Sequence, residues 1–152
     1  MIPTLLNFAL PLATSYAEEQ ETKILQDGVP LTEQQCSDAK QLGIQNPGRI
    51  RLMKVPVIPT PTQPVLAKAN EYVGMIGPQS ATLSYGYGAF IRADLWEDRA
   101  AIVHELVHVA QQERLGGINA FLKAYLKECL TVGHDNSPME KEAVTRTKEI
   151  CG

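Results

Sequence analysis

Residues 103–112 read Val103-His104-Glu105-Leu106-Val107-His108-Val109-Ala110-Gln111-Gln112. On an α-helix, residues four apart are offset by about 40° around the axis and about 6 Å along it. His104 and His108 therefore project from one side, one turn apart. Two imidazole nitrogens so placed can hold one zinc ion at two corners of a tetrahedron. Glu105 lies near the same side, within reach of a water on that ion. Ile102, Leu106 and Val109 line one flank, and Val103, Val107 and Ala110 another. The predicted helix is thus apolar over most of its circumference and belongs in a core. Burying two imidazoles and a carboxylate there is costly without partners, and a cation supplies them. The competing reading is a pair of core histidines that hydrogen-bond internally, with Glu105 turned to solvent.

Outward from this helix, Gly116-Gly117 and Gly133 are stop signals. They divide the C-terminal part into three predicted helices, about 97–115, 117–132 and 138–150. Upstream, residues 81–95 (ATLSYGYGAFIRADL) read as one or two strands. The period of two would put Tyr85, Tyr87, Ala89, Ile91 and Ala93 on one face. Gly86 and Gly88 mark a hairpin or bulge. Earlier still, Thr32-Glu33-Gln34-Gln35 has the capping-box pattern, with Leu31 as staple, and predicts a helix over 33–43. Asn46-Pro47-Gly48 is a turn and 49–57 a strand. Four prolines make 56–64 extended or irregular. A short helix follows over 65–73, and Gly77-Pro78 is a break. The expected class is α+β in one domain over 31–152, with helices gathered at the C-terminal end.

Residues 1–30 are expected to form an N-terminal arm or signal segment (1–17) and a polar linker (18–30). Ser15-Tyr16-Ala17 has the small residues of a signal-peptidase site, but no Lys or Arg precedes Lys23. Pro3 and Pro11 interrupt an apolar run too short to span a bilayer. Cytoplasmic residence is the expectation, with export after cleavage near Ala17 the alternative. The chain has 152 residues, 44% hydrophobic and 20% charged, which excludes a disordered or collagen-like chain. Its net charge of −3 carries no basic excess to attract nucleic acid, so a DNA-associated protease lacks support. Three cysteines, Cys36, Cys129 and Cys151, form no C-x-x-C pair, and reduced thiols are the simpler reading. A Cys129–Cys151 bond is the alternative in an exported chain.

A catalytic zinc usually has three protein ligands and one open position. The metzincin pattern would put the third at residue 114, which is Arg114. The other candidates are Glu128, His134, Asp135, Glu140 and Glu142. Ser137-Pro138-Met139-Glu140 opens the last helix with an N-cap, a proline at the first position and Glu at the third. With Met139 at 0°, Glu140 falls at about 100°, inside the apolar arc that Ala143, Val144, Ile150 and Cys151 complete. Glu142 falls at about 300°, outside it. Glu140 is favoured as ligand, against a plain capping-box role, with Glu142 the alternative, against a solvated partner of Arg146.

These residues resemble the gluzincin metallopeptidases, which carry H-E-x-x-H on one helix and a glutamate ligand on a later one. Glu140-Lys141-Glu142-Ala143-Val144 matches the E-x-x-A part of the E-x-x-A-D pattern in the prenyl-endopeptidase-like branch and departs at Val144. In thermolysin-like members the ligand directly precedes Ala, which points to Glu142 instead. Residues 82–143 also resemble a group of small bacterial proteins with an HELVHVAQ-type helix, a following L-G-G (Leu115-Gly116-Gly117) and a P-x-E-x-E-A segment (Pro138 to Ala143).

The resemblance implies a minimal zincin-like domain. Its small mixed sheet would pack an edge strand on the motif helix, with two C-terminal helices following. Residues 89–95 would be that edge strand and pair with an extended peptide substrate. The implied activity is zinc-dependent hydrolysis of a peptide bond, with His104, His108 and a glutamate as ligands and Glu105 as general base. Tyr87, Tyr125, His134 and Arg146 are candidates to steady the oxyanion. Trp96 and Cys129 are read as packing residues. The rival function is a zinc-stabilised binding or scaffold protein without turnover.

Overall fold

The computed structural model describes residues 2–73 and 80–152, so the break expected at Gly77-Pro78 lies outside the described residues. Its helices are α1 (Ile2–Asp27), α2 (Glu33–Gln41), α3 (Pro64–Val73), α4 (Arg99–Leu115), α5 (Ile118–Val132) and α6 (Pro138–Cys151). The strands are β1 (Val29–Pro30), β2 (Arg51–Val55), β3 (Thr82–Tyr85) and β4 (Gly88–Arg92). They form one mixed sheet in the order β1-β2-β4-β3, which makes the fold α+β. β2 and β4 run parallel, and each outer pair is antiparallel.

Alternation along the strands gives the sheet two buried faces. Leu52, Ala89 and Ile91 face α4 and α2, joining Ile102, Leu106, Val109 and Ala39. Val55 and Phe90 face the other way, toward Ala17 and Ile24 of α1 and Phe121 and Leu122 of α5. The single face expected for Tyr85 through Ala93 does not exist, because the chain turns at Gly86-Tyr87, where Gly86 has φ +63°. Cross-strand pairing puts Tyr85 and Leu83 on the Phe90 side, while Ala89 and Ile91 stay on the α4 side. Ala93 leaves the strand for a short 3₁₀ turn.

The largest departure from expectation is at the N-terminus. Residues 18–27 are not a linker but the second half of α1, and the helix runs through Pro11. Ala17 and Ile24 lie seven residues, two turns, apart and are both buried in the core shared with α5. The packing is close: a Cβ placed on Gly88 would come 2.8 Å from Ile24 Cβ. No break in packing marks residue 30, since β1 pairs with β2. Among the described residues no helix is long and apolar enough to cross a membrane.

Several local signals act as their chemistry requires. Thr32 and Gln35 close the capping box at α2. Asp98 caps α4 through the Ala101 N–H, and Gly116, at φ +99°, ends it in the left-handed region. Trp96 is half-buried against the α4-side core, with Lys54 Nζ 5.4 Å from its ring centroid.

Candidate metal centre

α4 is a core helix, and His108, Glu105, Gln111 and Gln112 are all buried on it. His104, one turn before His108, is partly exposed on the same side. α6 packs against this side and brings Glu140 in from its first turn. Ser137 Oγ accepts the Glu140 backbone N–H at 3.1 Å. The Glu140 carboxylate, however, turns inward to the imidazoles instead of closing a capping box. His104 Nε2 lies 3.1 Å from Glu140 Oε1, and His108 Nε2 lies 2.9 Å from Oε2. One ligand atom from each of the three residues falls within 4.8 Å of the others.

Glu142, the alternative from the sequence, is directed elsewhere. Its Oε1 accepts from Gln111 Nε2 at 2.7 Å and from Arg114 at 3.1 Å. The Arg146 pairing expected for it is absent; Arg146 reaches the Gln41 carbonyl and Glu149. Glu128 accepts the Met139 N–H, away from the imidazole pair. His134 stands at the rim, with Nε2 3.5 Å from Glu140 Oε2 and Nδ1 beside Asp135. Tyr125, on α5, donates its hydroxyl to Glu140 Oε2 at 2.5 Å. Of the four oxyanion candidates, Tyr125 and His134 are at the site. Tyr87 instead donates to Glu113, and Arg146 faces α2.

The donor chemistry fits a cation. His108 Nδ1 faces Gln111 Oε1 at 2.8 Å. The Gln111 amide nitrogen spends both its hydrogens, one on the Met139 carbonyl and one on Glu142. Its oxygen must therefore face the ring, so Nδ1 carries the hydrogen and donates. That leaves the buried His108 Nε2 with a lone pair aimed at a carboxylate oxygen. Such a contact holds only with a positive charge between the two, either a proton or a metal ion. With a proton there, burial pushes the imidazole down, but the Glu140 hydrogen bond, the charges of Glu105 and Glu140 and the Gln111 hydrogen bond together outweigh it, and the ring is pushed up to about 9. Burial alone would raise Glu140; the two imidazoles hold it well below the usual carboxylate range. Two ligands at about 2.05 Å on a tetrahedral ion sit about 3.4 Å apart. One nitrogen of each imidazole and one Glu140 oxygen lie within 4.8 Å of one another, near enough to close on such an ion.

A cleft of about 860 Å³ opens at this cluster, lined by 80–85, His104, Glu105, Phe121, Tyr125 and His134 among others. One wall is β3, an edge strand of the sheet. The edge expected at residues 89–95 is an interior position, because β4 is paired on both sides. The Arg92 N–H donates to the Ala81 carbonyl, so by alternation residues 81, 83 and 85 point their backbone groups at β4. The backbone groups of Thr82 and Ser84 point to the open side. Their side chains hold α4 in place. Thr82 Oγ1 donates to Glu105 Oε1 at 2.6 Å, and Gln112 Nε2 donates to Ser84 Oγ at 3.0 Å. Gln112 Oε1 also accepts the Gly86 N–H at 2.6 Å.

One turn beyond His108, Glu113 grips two further elements. Its carboxylate accepts from the Gln45 and Asn46 backbone N–H groups and from the Tyr87 hydroxyl. On the sheet's other face, Glu21 Oε2 accepts the Tyr87 N–H at 2.9 Å. Gln111, Gln112, Glu113 and Thr82 carry no motif that marks these contacts in the sequence. The available signal for Gln111 was its spacing, since i and i+3 side chains are neighbours on a helix. All three cysteines are free, Cys129 buried and Cys36 and Cys151 partly exposed, and burial pushes the Cys129 thiol up to about 11. Cys129 belongs to the core with Phe121, Leu122 and Tyr125.

The chain matched no protein-family model, no curated protein and no solved structure.

Proposed function

We propose that the protein is a metal-dependent peptidase with His104, His108 and Glu140 as the metal ligands and Glu105 as the general base. The convergence of two imidazole nitrogens and one carboxylate, beside a second carboxylate in one cleft, carries this reading. When bound, a zinc ion supplies Lewis acidity toward a carbonyl oxygen and acidifies water.

The rest falls to the chain's own residues. Glu105 is buried in the cleft wall with one oxygen held by Thr82, which fixes the carboxylate's orientation. It accepts a proton from the water that adds to the scissile carbonyl carbon. It returns that proton to the amine as the C–N bond breaks. A purely structural ion would need no such carboxylate, which favours an enzyme over the scaffold reading. An extended peptide pairs with the outward backbone groups of Thr82 and Ser84, and so lies along the row that Glu105 and the imidazoles occupy. Tyr125 spends its one hydroxyl hydrogen on Glu140, so His134, at the rim of the cleft, is the remaining candidate to steady a developing oxyanion.

Glu105→Gln separates turnover from binding. Hydrolysis of a diverse peptide library should fall by at least 100-fold. Zinc content, by elemental analysis, should stay at about one per chain, and the melting temperature should stay near wild type. A wild-type protein that holds zinc yet hydrolyses nothing in the library would overturn the enzyme in favour of the scaffold.

A further inference from the structure

The amide of Gln111 is fully buried and uses every hydrogen-bonding direction that its neighbours offer. Its oxygen receives His108 Nδ1–H at 2.8 Å. Its nitrogen donates to the Met139 carbonyl at 3.0 Å and to Glu142 Oε1 at 2.7 Å. Met139 is the residue before Glu140, and Glu142 is two residues after it. One side chain thus touches a candidate ligand on α4 and brackets the other ligand's position on α6. Arg114 holds Glu142 from the solvent side at 3.1 Å. Turning the amide over would set its oxygen against both the Met139 carbonyl and the Glu142 carboxylate, with no hydrogen in either contact. The amide therefore has one orientation, and the imidazole has one tautomer.

We infer that Gln111, held by Glu142, is the positioning residue of the metal centre: it fixes His108 with Nδ1 protonated and Nε2 as the metal donor, and pins the α6 turn that carries Glu140. The inference rests on the metal-centre reading above. It gives Glu142 a task one layer out from the ion. Outer hydrogen-bond partners of this kind typically contribute 10–100-fold in metal affinity.

The test compares wild type, Gln111→Met and Glu142→Ala by zinc competition against a chromophoric chelator, together with ¹⁵N-edited NMR of the histidine rings. Wild type should bind zinc with His108 in the single Nδ1–H tautomer. Gln111→Met should lose about 10–100-fold in affinity, and its zinc-loaded His108 should no longer hold the single Nδ1–H tautomer. Glu142→Ala, at a half-exposed site, keeps the fold and should lose several-fold. A wild type that takes up no zinc defeats the metal centre, and the inference with it. A wild type that binds, beside a folded Gln111→Met with unchanged affinity and an unchanged His108 tautomer, defeats the inference alone. Should Gln111→Met not fold, Glu142→Ala decides: a several-fold loss supports the role and wild-type affinity overturns it.

Discussion

Glu140 and Glu142 are two residues apart, and their environments separate them. Glu140 is buried against two imidazoles and a phenol, whereas Glu142 is half-exposed between an amide and a guanidinium. Glu140→Ala should abolish stoichiometric zinc binding, because it removes one of three donors. Glu142→Ala should still bind one zinc per chain, by elemental analysis after gel filtration without chelator. Equal loss in both variants would mean that the wrong carboxylate has been placed at the ion. At this scale the sequence was informative where spacing decides direction. The four-residue interval set both imidazoles on one side, and the helical angle of Glu140 set it inward. It was silent on Gln111, because a glutamine beside a motif says nothing about which way its amide points until α6 supplies acceptors. The pairing expected for Glu142 failed for a related reason: a buried neighbour on another helix outcompetes a solvated partner four residues on.

Among elements, the close approach of α1 to β4 is a matter of size. Gly88→Ala would drive a methyl group into the branched carbon of Ile24, which the helix backbone holds in place. Overpacking of this kind should cost about 1–3 kcal/mol, read from the urea midpoint. α2 and α4 are tied by charge instead. The buried Asp38 carboxylate accepts Arg99 at 2.9 and 3.1 Å and Gln34 at 3.0 Å. The Arg99 hydrogen bonds hold its carboxyl below the usual aspartate value of 3.8. A group lowered on folding contributes stability above its unfolded value and loses it as pH falls through its folded one. The urea midpoint of wild type should therefore drop below about pH 4 faster than that of Asp38→Asn. At neutral pH, Asp38→Asn should be about 1–3 kcal/mol less stable. Parallel pH profiles for the two proteins would refute this. Strand order was beyond local reading. Gly86 signalled a turn between β3 and β4, yet only the non-local β2–β4 pairing leaves β3 at one edge and buries β4.

For the whole molecule, the three C-terminal helices, the hairpin and the α2 capping box were legible because each is a local signal. α1 was not. Its polar residues over 18–27 look like a linker, and Pro11 looks like a stop. The reason for its helix lies in Ala17 and Ile24, whose partners Phe121 and Phe90 are far away in sequence. Tertiary packing supplies what local propensity lacks. An ion bound to the folded chain alone would add to this stability by mass action. Zinc-loaded protein should melt roughly 5–10 °C above the same protein stripped by chelator, and restoring zinc should restore the difference. An unchanged melting curve would argue that no ion is held between α4 and α6.

α4 is secured along its whole length: Asp98 at its start, Thr82 and Ser84 through Glu105 and Gln112 in the middle, and Glu113 at its far end. None of these anchors is a metal ligand. A cation arriving from solution would thus meet a socket already cut to shape, and the energy it releases on entry would go into tightness of grip, with little diverted to assembling the walls.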